Sequence, residues 1–361
     1  FRFAESPHKP GVFWVGTDDG LIQLSKDNGE TWNNVTPSNL PEWSLISGIE
    51  ISPHDPDTAY AAVTRYKFGD YKPYLYKTND FGKNWTAITK GIPKTDFTRV
   101  IRADPHRRGL LYTGTENGVY VSFNDGDDWQ HLQCNMPPVP IHDMVVKDKD
   151  LVVATHGRGF WILDDLSPLH QITEDISEFS CHLFKPRDAY RLKHEPKWQP
   201  GDLPIPGEKN YFLAILGSPM TFNEQHKPNV QNPRTFLNAG ANPPDGVVVH
   251  YYLKQKPEDT LKLTFMDSTG QTIRSFYSCS NHLNKQKDPR PDDPIVPTNV
   301  GSNRFVWDMR YLPAREVPGD NTVKQNPTAP LALPGTYKVE ISIGNQTQTE
   351  TFEIHQDPRI T

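Results

Sequence analysis

The chain has 361 residues, with 38 basic against 44 acidic side chains and a net charge of −6. That balance gives no electrostatic case for nucleic acid or an anionic membrane, and no apolar run approaches the roughly 20 residues of a membrane-crossing helix. With 34 prolines, 24 glycines, 14 tyrosines and 8 tryptophans, the composition fits many short strands joined by stiff turns, and three cysteines (Cys134, Cys181, Cys279) exclude a disulfide scaffold while leaving one bridge, such as Cys181 to Cys279, open.

The first elements form a frame that returns. "FRFAESPH" reads as an apolar strand ending in a Pro-His turn. "VFWVGTDDGLIQL" reads as two strands around a Gly-bearing loop, and "SKDNGETW" follows as a polar box. "GIEISPH" and "VIRADPH" repeat the first piece. "TAYAAVTRYKFGDYKPYLYK" and "LLYTGTENGVYVS" repeat the second, the former with an insert over 65–71. "TNDFGKNW" and "SFNDGDDW" repeat the box. Each box has a hydroxyl first (Ser25, Thr78, Ser122), Asp or Asn third (Asp27, Asp80, Asn124), Gly fifth (Gly29, Gly82, Gly126) and Trp eighth (Trp32, Trp85, Trp129). The tryptophans lie 53 and 44 residues apart, and a period of about 40–50 residues with four strands per unit indicates a propeller blade. A fourth unit, "IHDMVVKDKDLVVATHGRGFWILDD", has three strands and no box.

The box chemistry reads as structural. Glycine supplies the positive φ of a tight hairpin, the third residue accepts backbone N–H bonds that close the turn, and the three tryptophans are expected to bury their rings between blades. The acidic cluster Asn124, Asp125, Asp127, Asp128 lacks the spacing of a Ca²⁺ loop. His8, His54 and His106 occupy the same turn in successive blades and are too spread for joint ligation. No metal and no cofactor is expected. Because Phe1 already falls in an inner strand and the fourth blade stops near Asp165, further blades are expected at both edges, from the same precursor or a second subunit.

Beyond the blades, "LSPLHQITEDI" (166–176) has a Ser-Pro start suited to a short helix. The Pro-rich stretch 194–240 reads as a linker or covering loop. Strand signals resume in "GVVVHYYLK", "DTLKLTFMDSTGQTIRSFYS", "NRFVWDMRYLP" and "GTYKVEISIGNQTQTETFEI". Their alternation around Ser268-Thr269-Gly270 and Gly344-Asn345 predicts a β-sandwich of immunoglobulin or fibronectin kind. The organisation expected is all-β: four blades of an incomplete propeller (1–166), a helix and linker (167–240), and a sandwich (241–361).

The box resembles the Asp-box, or BNR repeat, although the third box carries Asn124 and the second has Asn84 where Thr is usual. With "PEWSLISGIEISPHD", "THGRGFWILDDLSPL" and "GSNRFVWDMRYL", nearly the whole chain resembles large secreted bacterial proteins labelled sortilin-like or BNR-repeat glycosyl hydrolase. That resemblance implies an extracellular, cell-surface or periplasmic protein, and places the boxes and Pro-His turns on the face opposite the ligand. The ligand-face loops it implies carry Asp18, Asp19, Glu42, Trp43, Ser44, Arg65 to Tyr71 (with Tyr66), Asp96, Phe97, Arg99, Glu116, Asn117, His142, Asp143, His156 and Arg158. The ligand-binding candidates are Trp43, Arg65, Tyr66, Phe97, Arg99, His142, Asp143, His156 and Arg158, a mixture of aromatics, arginines and carboxylates suited to a glycan or peptide. Arg158 has a second reading, as an ion-pair partner of Asp164 or Asp165 that locks the closing blade. Two functions are weighed. In the favoured one the chain is a binding or scaffold protein with the propeller as recognition disc. The alternative is glycoside hydrolysis, for which Asp19, Glu42, Glu116 and Asp143 are the available carboxylates and Glu116 and Asp143 the catalytic candidates. "FRFAES" departs from the sialidase Phe-Arg-Ile-Pro motif after its second residue, and no Gly-x-Ser-x-Gly, His-Glu-x-x-His or Cys-x-x-Cys occurs.

Overall fold

Strands of two to nine residues account for almost all regular structure up to Leu166, because each apolar run is broken by Gly, Pro or Asp before a helix can propagate. The computed structural model describes residues 2–192, 209–213, 219–224, 234–236, 243–279, 293–312 and 329–360. The chain is all-β and divides into two compact units, Phe1–Leu166 and Ser167–Thr361.

The first unit consists of four antiparallel propeller blades. Blade 1 is β1 (Arg2–Glu5), β2 (Phe13–Gly16), β3 (Ile22–Ser25) and β4 (Asn33–Asn34). Blade 2 is β5 (Leu45–Ile51), β6 (Ala59–Arg65), β7 (Asp70–Thr78) and β8 (Thr86–Ala87). Blade 3 is β9 (Thr98–Ala103), β10 (Leu111–Thr115), β11 (Val119–Ser122) and β12 (Gln130–His131). Blade 4 is β13 (Ile141–Lys147), β14 (Asp150–Thr155) and β15 (Phe160–Leu163). The inner strands lie against one another in sequence, β1 on β5, β5 on β9 and β9 on β13. Glycine sets how closely two of these junctions approach. A Cβ on Gly16 would stand 2.4 Å from Ile46 Cγ2, and one on Gly114 would stand 2.6 Å from Ile141 Cγ2. Blade faces at these points therefore meet backbone to side chain, as dense interior packing requires.

The three boxes share one hydrogen-bond scheme. The first hydroxyl donates to the third side chain (Ser25 to Asp27 and Thr78 to Asp80, both 2.8 Å; Ser122 to Asn124, 2.9 Å) and accepts from the glycine amide at 2.9 Å in each. The third side chain accepts the amide four residues on: Thr31 and Asp128 at 3.0 Å, Asn84 at 2.9 Å. Asn124 thus serves as well as Asp, and Asn84 donates its side-chain amide to Asp80 where Thr31 donates a hydroxyl to Asp27. Bonds from the Thr31 hydroxyl, then its amide, then Ser25 hold the Asp27 carboxyl down to about 2. Residue four is left-handed as well as the glycine: Asn28, Phe81 and Asp125 have φ near 60° (58, 59, 61). Its amide donates to the hairpin turn of the same blade (Gly11, Asp57, Gly109), and Leu166 repeats this bond to Lys149 in blade 4.

The box indole is received by the preceding blade. Trp85 Nε1 donates to the Val35 carbonyl and Trp129 Nε1 to the Ile88 carbonyl, both at 2.7 Å. Val35 and Ile88 occupy the same position, directly after the outer strands β4 and β8. Trp129 is 3% exposed. Trp32 corrects the expectation of three buried rings. It is 43% exposed and donates to its own Gly29 carbonyl, where Trp85 and Trp129 donate to a carbonyl of the preceding blade.

The Pro-His turns also join blades. His8 Nε2 lies 2.9 Å from the Ser52 carbonyl, His54 Nε2 2.7 Å from that of Asp104, and His106 Nε2 2.5 Å from that of Asp148. Each acceptor is the residue at the start of the same turn one blade on, and facing a carbonyl, each ring nitrogen is the donor. We expect His54→Ala to cost about 1–2 kcal/mol through the orphaned carbonyl, read as a shifted urea midpoint. An unchanged midpoint would assign no energetic role to the turn.

The second unit opens with α1 (Ser167–Gln171). A three-stranded sheet of β16 (Cys181–Leu183), β21 (Val247–Leu253) and β24 (Gly301–Trp307) shares one core with a five-stranded sheet. The latter holds β17 (Ala189–Arg191), β22 (Leu261–Asp267), β23 (Thr272–Tyr277), β25 (Gly335–Ile343) and β26 (Gln346–Gln356). Phe265 stacks on Trp307 at its centre, 4.6 Å between ring centroids. Two expectations are corrected. The sandwich takes strands from before residue 192, so it does not begin at 241. The stretch expected as linker contains β18 (Lys209–Leu213), β19 (Pro219–Glu224) and β20 (Arg234–Phe236), an antiparallel meander; the rest of 193–242 lies outside the described residues. All three cysteines are free thiols, and no helix among the described residues is long and apolar enough to cross a membrane.

Candidate functional site

The 65–71 insert of blade 2 is an aromatic shelf. It forms a short 3₁₀ turn over Tyr66–Phe68, closed by left-handed Gly69. Tyr66 stacks on Phe97 at 5.1 Å and 18°, and Tyr71 tilts onto the same ring at 6.1 Å. The Arg99 guanidinium lies 4.8 Å from the Phe97 centroid and 5.3 Å from that of Tyr66. Phe97 itself is 3% exposed. This corrects its expected place among the ligand-binding residues, for it is the floor on which the accessible groups rest. Exposed aromatics on the shelf are Tyr71 and Phe68.

Arg99 carries the shelf into blades 3 and 4. Its Nε and Nη2 both donate to Glu116 Oε2, at 2.9 and 2.5 Å. Next to this pair, His142 stacks on His156, centroids 4.9 Å apart at 23°. Burial first, then the positive charges of Arg99 and His156, hold the His142 imidazole below its usual value, with Glu116 opposing. The loop beneath is rigid: buried Asp96 accepts from Thr115, Asn117 and Tyr120. Tyr66, Tyr71, Arg99, Glu116, His142 and His156 are therefore brought together from three blades: the insert of blade 2, the starts of β9 and β13, and the loops after β10 and β14.

The remaining candidates stand apart or are occupied otherwise. Arg65 is turned to Asp70 at 3.3 Å and over the Phe68 ring. Trp43 is 64% exposed with a left-handed backbone, and Arg158 lies exposed in its glycine loop. Asp143, expected to offer a carboxylate, accepts from Arg102 Nη2 at 2.6 Å and from the Met144 amide at 2.8 Å. That bond belongs to a network sequence reasoning missed. Arg102 on β9 also reaches Glu50 on β5 (3.4 Å) and the Met144 carbonyl on β13 (2.6 Å), tying three blades through one guanidinium. Burial pushes the Glu50 carboxyl up to about 7 against the opposing pull of Arg102 and the Ala103 amide. The signal was present: Glu50 and Arg102 hold the same register, two residues before the Ser-Pro or Asp-Pro of the turn, each between apolar neighbours (Ile49 and Ile51, Ile101 and Ala103).

No known protein-family profile matches the chain. It is 35% identical over 92 residues to a probable oligoxyloglucan-reducing end-specific xyloglucanase of Neosartorya fischeri, a stretch covering 24% of this chain and 10% of that protein. It is 30% identical over 138 residues to the oligoxyloglucan-reducing end-specific xyloglucanase of Emericella nidulans, covering 34% of this chain and 16% of that one. Both matches thus span only a small part of the curated relatives. Among solved structures, the chain is similar to the GH74 xyloglucanase from Xanthomonas campestris, with 15% identity, a TM-score of 0.36, and coverage of 72% of this chain and 43% of that one.

Proposed function

We propose that the first unit is an Asp-box propeller that recognises a glycan, as part of a binding protein working at the cell surface or outside the cell, with further blades supplied by the same precursor or a second subunit. The supporting observation is the shelf itself. Tyr71 and Phe68 offer apolar faces for sugar rings, Arg99–Glu116 offers a charge-assisted donor and acceptor pair, and His142–His156 borders both. The two catalytic candidates support binding over cleavage by their geometry, since Glu116 is engaged by Arg99 and Asp143 by Arg102 rather than both being presented together to a sugar. The names of the fungal relatives favour a second reading, hydrolysis of a xyloglucan oligosaccharide.

Calorimetry with xyloglucan and cello-oligosaccharides, alongside a glycan array, tests the proposal on the full chain. Saturable binding is expected, weakened about tenfold or more by Tyr71→Ala or Arg99→Met, with the thermal midpoint of Tyr71→Ala unchanged. Binding indifferent to both substitutions would remove the shelf as the site. Turnover abolished by Glu116→Gln or Asp143→Asn would establish the hydrolase reading instead.

A further inference from the structure

We propose that the stacked His142–His156 pair is a proton-operated switch at the candidate site: unprotonated, the two rings rest on one another and Glu116 is held by Arg99 alone; protonated, the rings part and His142 turns to Glu116. What the switch does to a ligand rests on the reading of the shelf as a glycan site, whereas the switch itself stands on the side chains.

Arg99 and His142 are placed by the same backbone device. In blade 3, Thr98 pairs with Thr115 and Val100 with Gly114; in blade 4, Ile141 pairs with Thr155 and Asp143 with Ala154. Arg99 and His142 are thus the extra residues of two β-bulges, each released from the ladder near the start of an inner strand, where a bulge re-aims its side chain. Arg99 gives both its bonds to Glu116 Oε2, and Oε1 accepts none. No ring nitrogen of His142 or His156 has a hydrogen-bond partner among the described residues. The pair is therefore held by ring contact alone, at 4.9 Å and 23°, beside a carboxylate oxygen with room for a donor.

The groups facing His142 are Arg99 from β9, Glu116 from the loop after β10 and His156 from the loop after β14; Asp143, its neighbour on β13, is bound by Arg102. Burial first, then Arg99 and His156, disfavour the imidazolium, and Glu116 favours it. A base held below its ordinary 6.5 by a contact keeps that contact above 6.5 and loses it as pH falls beneath. The backbone gives no ground here, since Ile141 pairs with Thr155 and the His156 amide donates to the Pro140 carbonyl at 2.9 Å. The response is left to the side chains. His142 as imidazolium is repelled by Arg99 and by a protonated His156, and Glu116 Oε1 is the unoccupied acceptor beside it. Glu116 then divides between two cations, and the acceptor that the shelf offers a sugar hydroxyl is occupied.

Nuclear magnetic resonance of the full chain with isotope-labelled histidine reads the switch without a ligand. Through-space contact between the two rings is expected at pH 7.5 and lost at pH 5. The His142 titration midpoint should rise in His156→Phe, which keeps a ring and removes a charge, and fall in Glu116→Gln. Rings still in contact at pH 5, or a midpoint that neither substitution moves, would overturn the proposal. The ring contact is read on the unaltered chain, so it decides even where a variant fails to fold. Calorimetry with a xyloglucan oligosaccharide reads the consequence: binding about fourfold weaker at pH 5 than at pH 7.5, the weight of two like charges about 5 Å apart in water, and a ratio near one in His142→Phe. The same ratio in both proteins would count against the switch. Absence of binding at both pH values would remove the glycan reading of the shelf and leave the switch to be decided by the titration.

Discussion

Trp129→Ala is expected to destabilise the propeller unit by about 3–5 kcal/mol, the range for truncating a large buried aromatic. The ring is 3% exposed and its indole N–H satisfies the Ile88 carbonyl, so the variant loses packing on both blades and orphans a buried acceptor. Trp32→Ala is the control. The same residue in the same box is 43% exposed and bonds only its own turn, so its loss should stay within about 0.5 kcal/mol, as for surface positions. Urea titrations of both variants check this. Equal losses would mean that the indole acts through its own hairpin rather than the neighbouring blade.

The second large effect is expected at the Glu50–Arg102–Asp143 junction. A carboxyl raised from 4.5 to about 7 binds its proton more tightly folded than unfolded. Its contribution to stability is therefore full below about pH 4.5 and is lost as pH rises through 7. The span corresponds to about 3 kcal/mol. Glu50→Gln should flatten this part of the stability profile, gaining on the unaltered protein above pH 7. Arg102→Met removes the charge that makes ionised Glu50 tolerable. It should cost about 3–5 kcal/mol at pH 8 and less at pH 5, where Glu50 takes up a proton instead. Midpoints for the three proteins at pH 5, 7 and 8 provide the check. Parallel profiles would show that Glu50 does not titrate in this window.

The blades were legible because turn chemistry fixes them. A hydroxyl, an acceptor two residues on and a glycine at five leave the backbone little choice, and the pattern survived both Asn124 and Asn84. What the same residues do between blades was not legible. The histidines of the Pro-His turns read as too spread to share a ligand, and their work as donors to the next blade needs a partner 42–50 residues away that no local pattern marks. The fate of Trp32 depends on a neighbour rather than on its box. At the candidate site, residue types and loops could be read but not layering: Phe97 has the composition of a contact residue and the position of a floor. In the second unit, β16 and β17 have three residues each, too few for alternation to register.

Those two short strands bear on the order in which the protein is made. β17 runs parallel to β26, pairing Ala189 with Ile354. Leu183 donates its amide to Gln348, and Glu353 donates its amide to Asp188, each across 165 residues of chain. The blades of the first unit pair strand with next strand, so each can close soon after it leaves the ribosome. The sandwich cannot. β17 waits, with its edge bare, until β26 (Gln346–Gln356) arrives, and closing so long a loop is the slow kind of folding step. A ribosome stalled short of residue 346 would therefore hold a set of formed blades followed by a sandwich whose five-stranded sheet lacks β26, the strand between β17 and β25, and that nascent state is where a holding chaperone would be needed most.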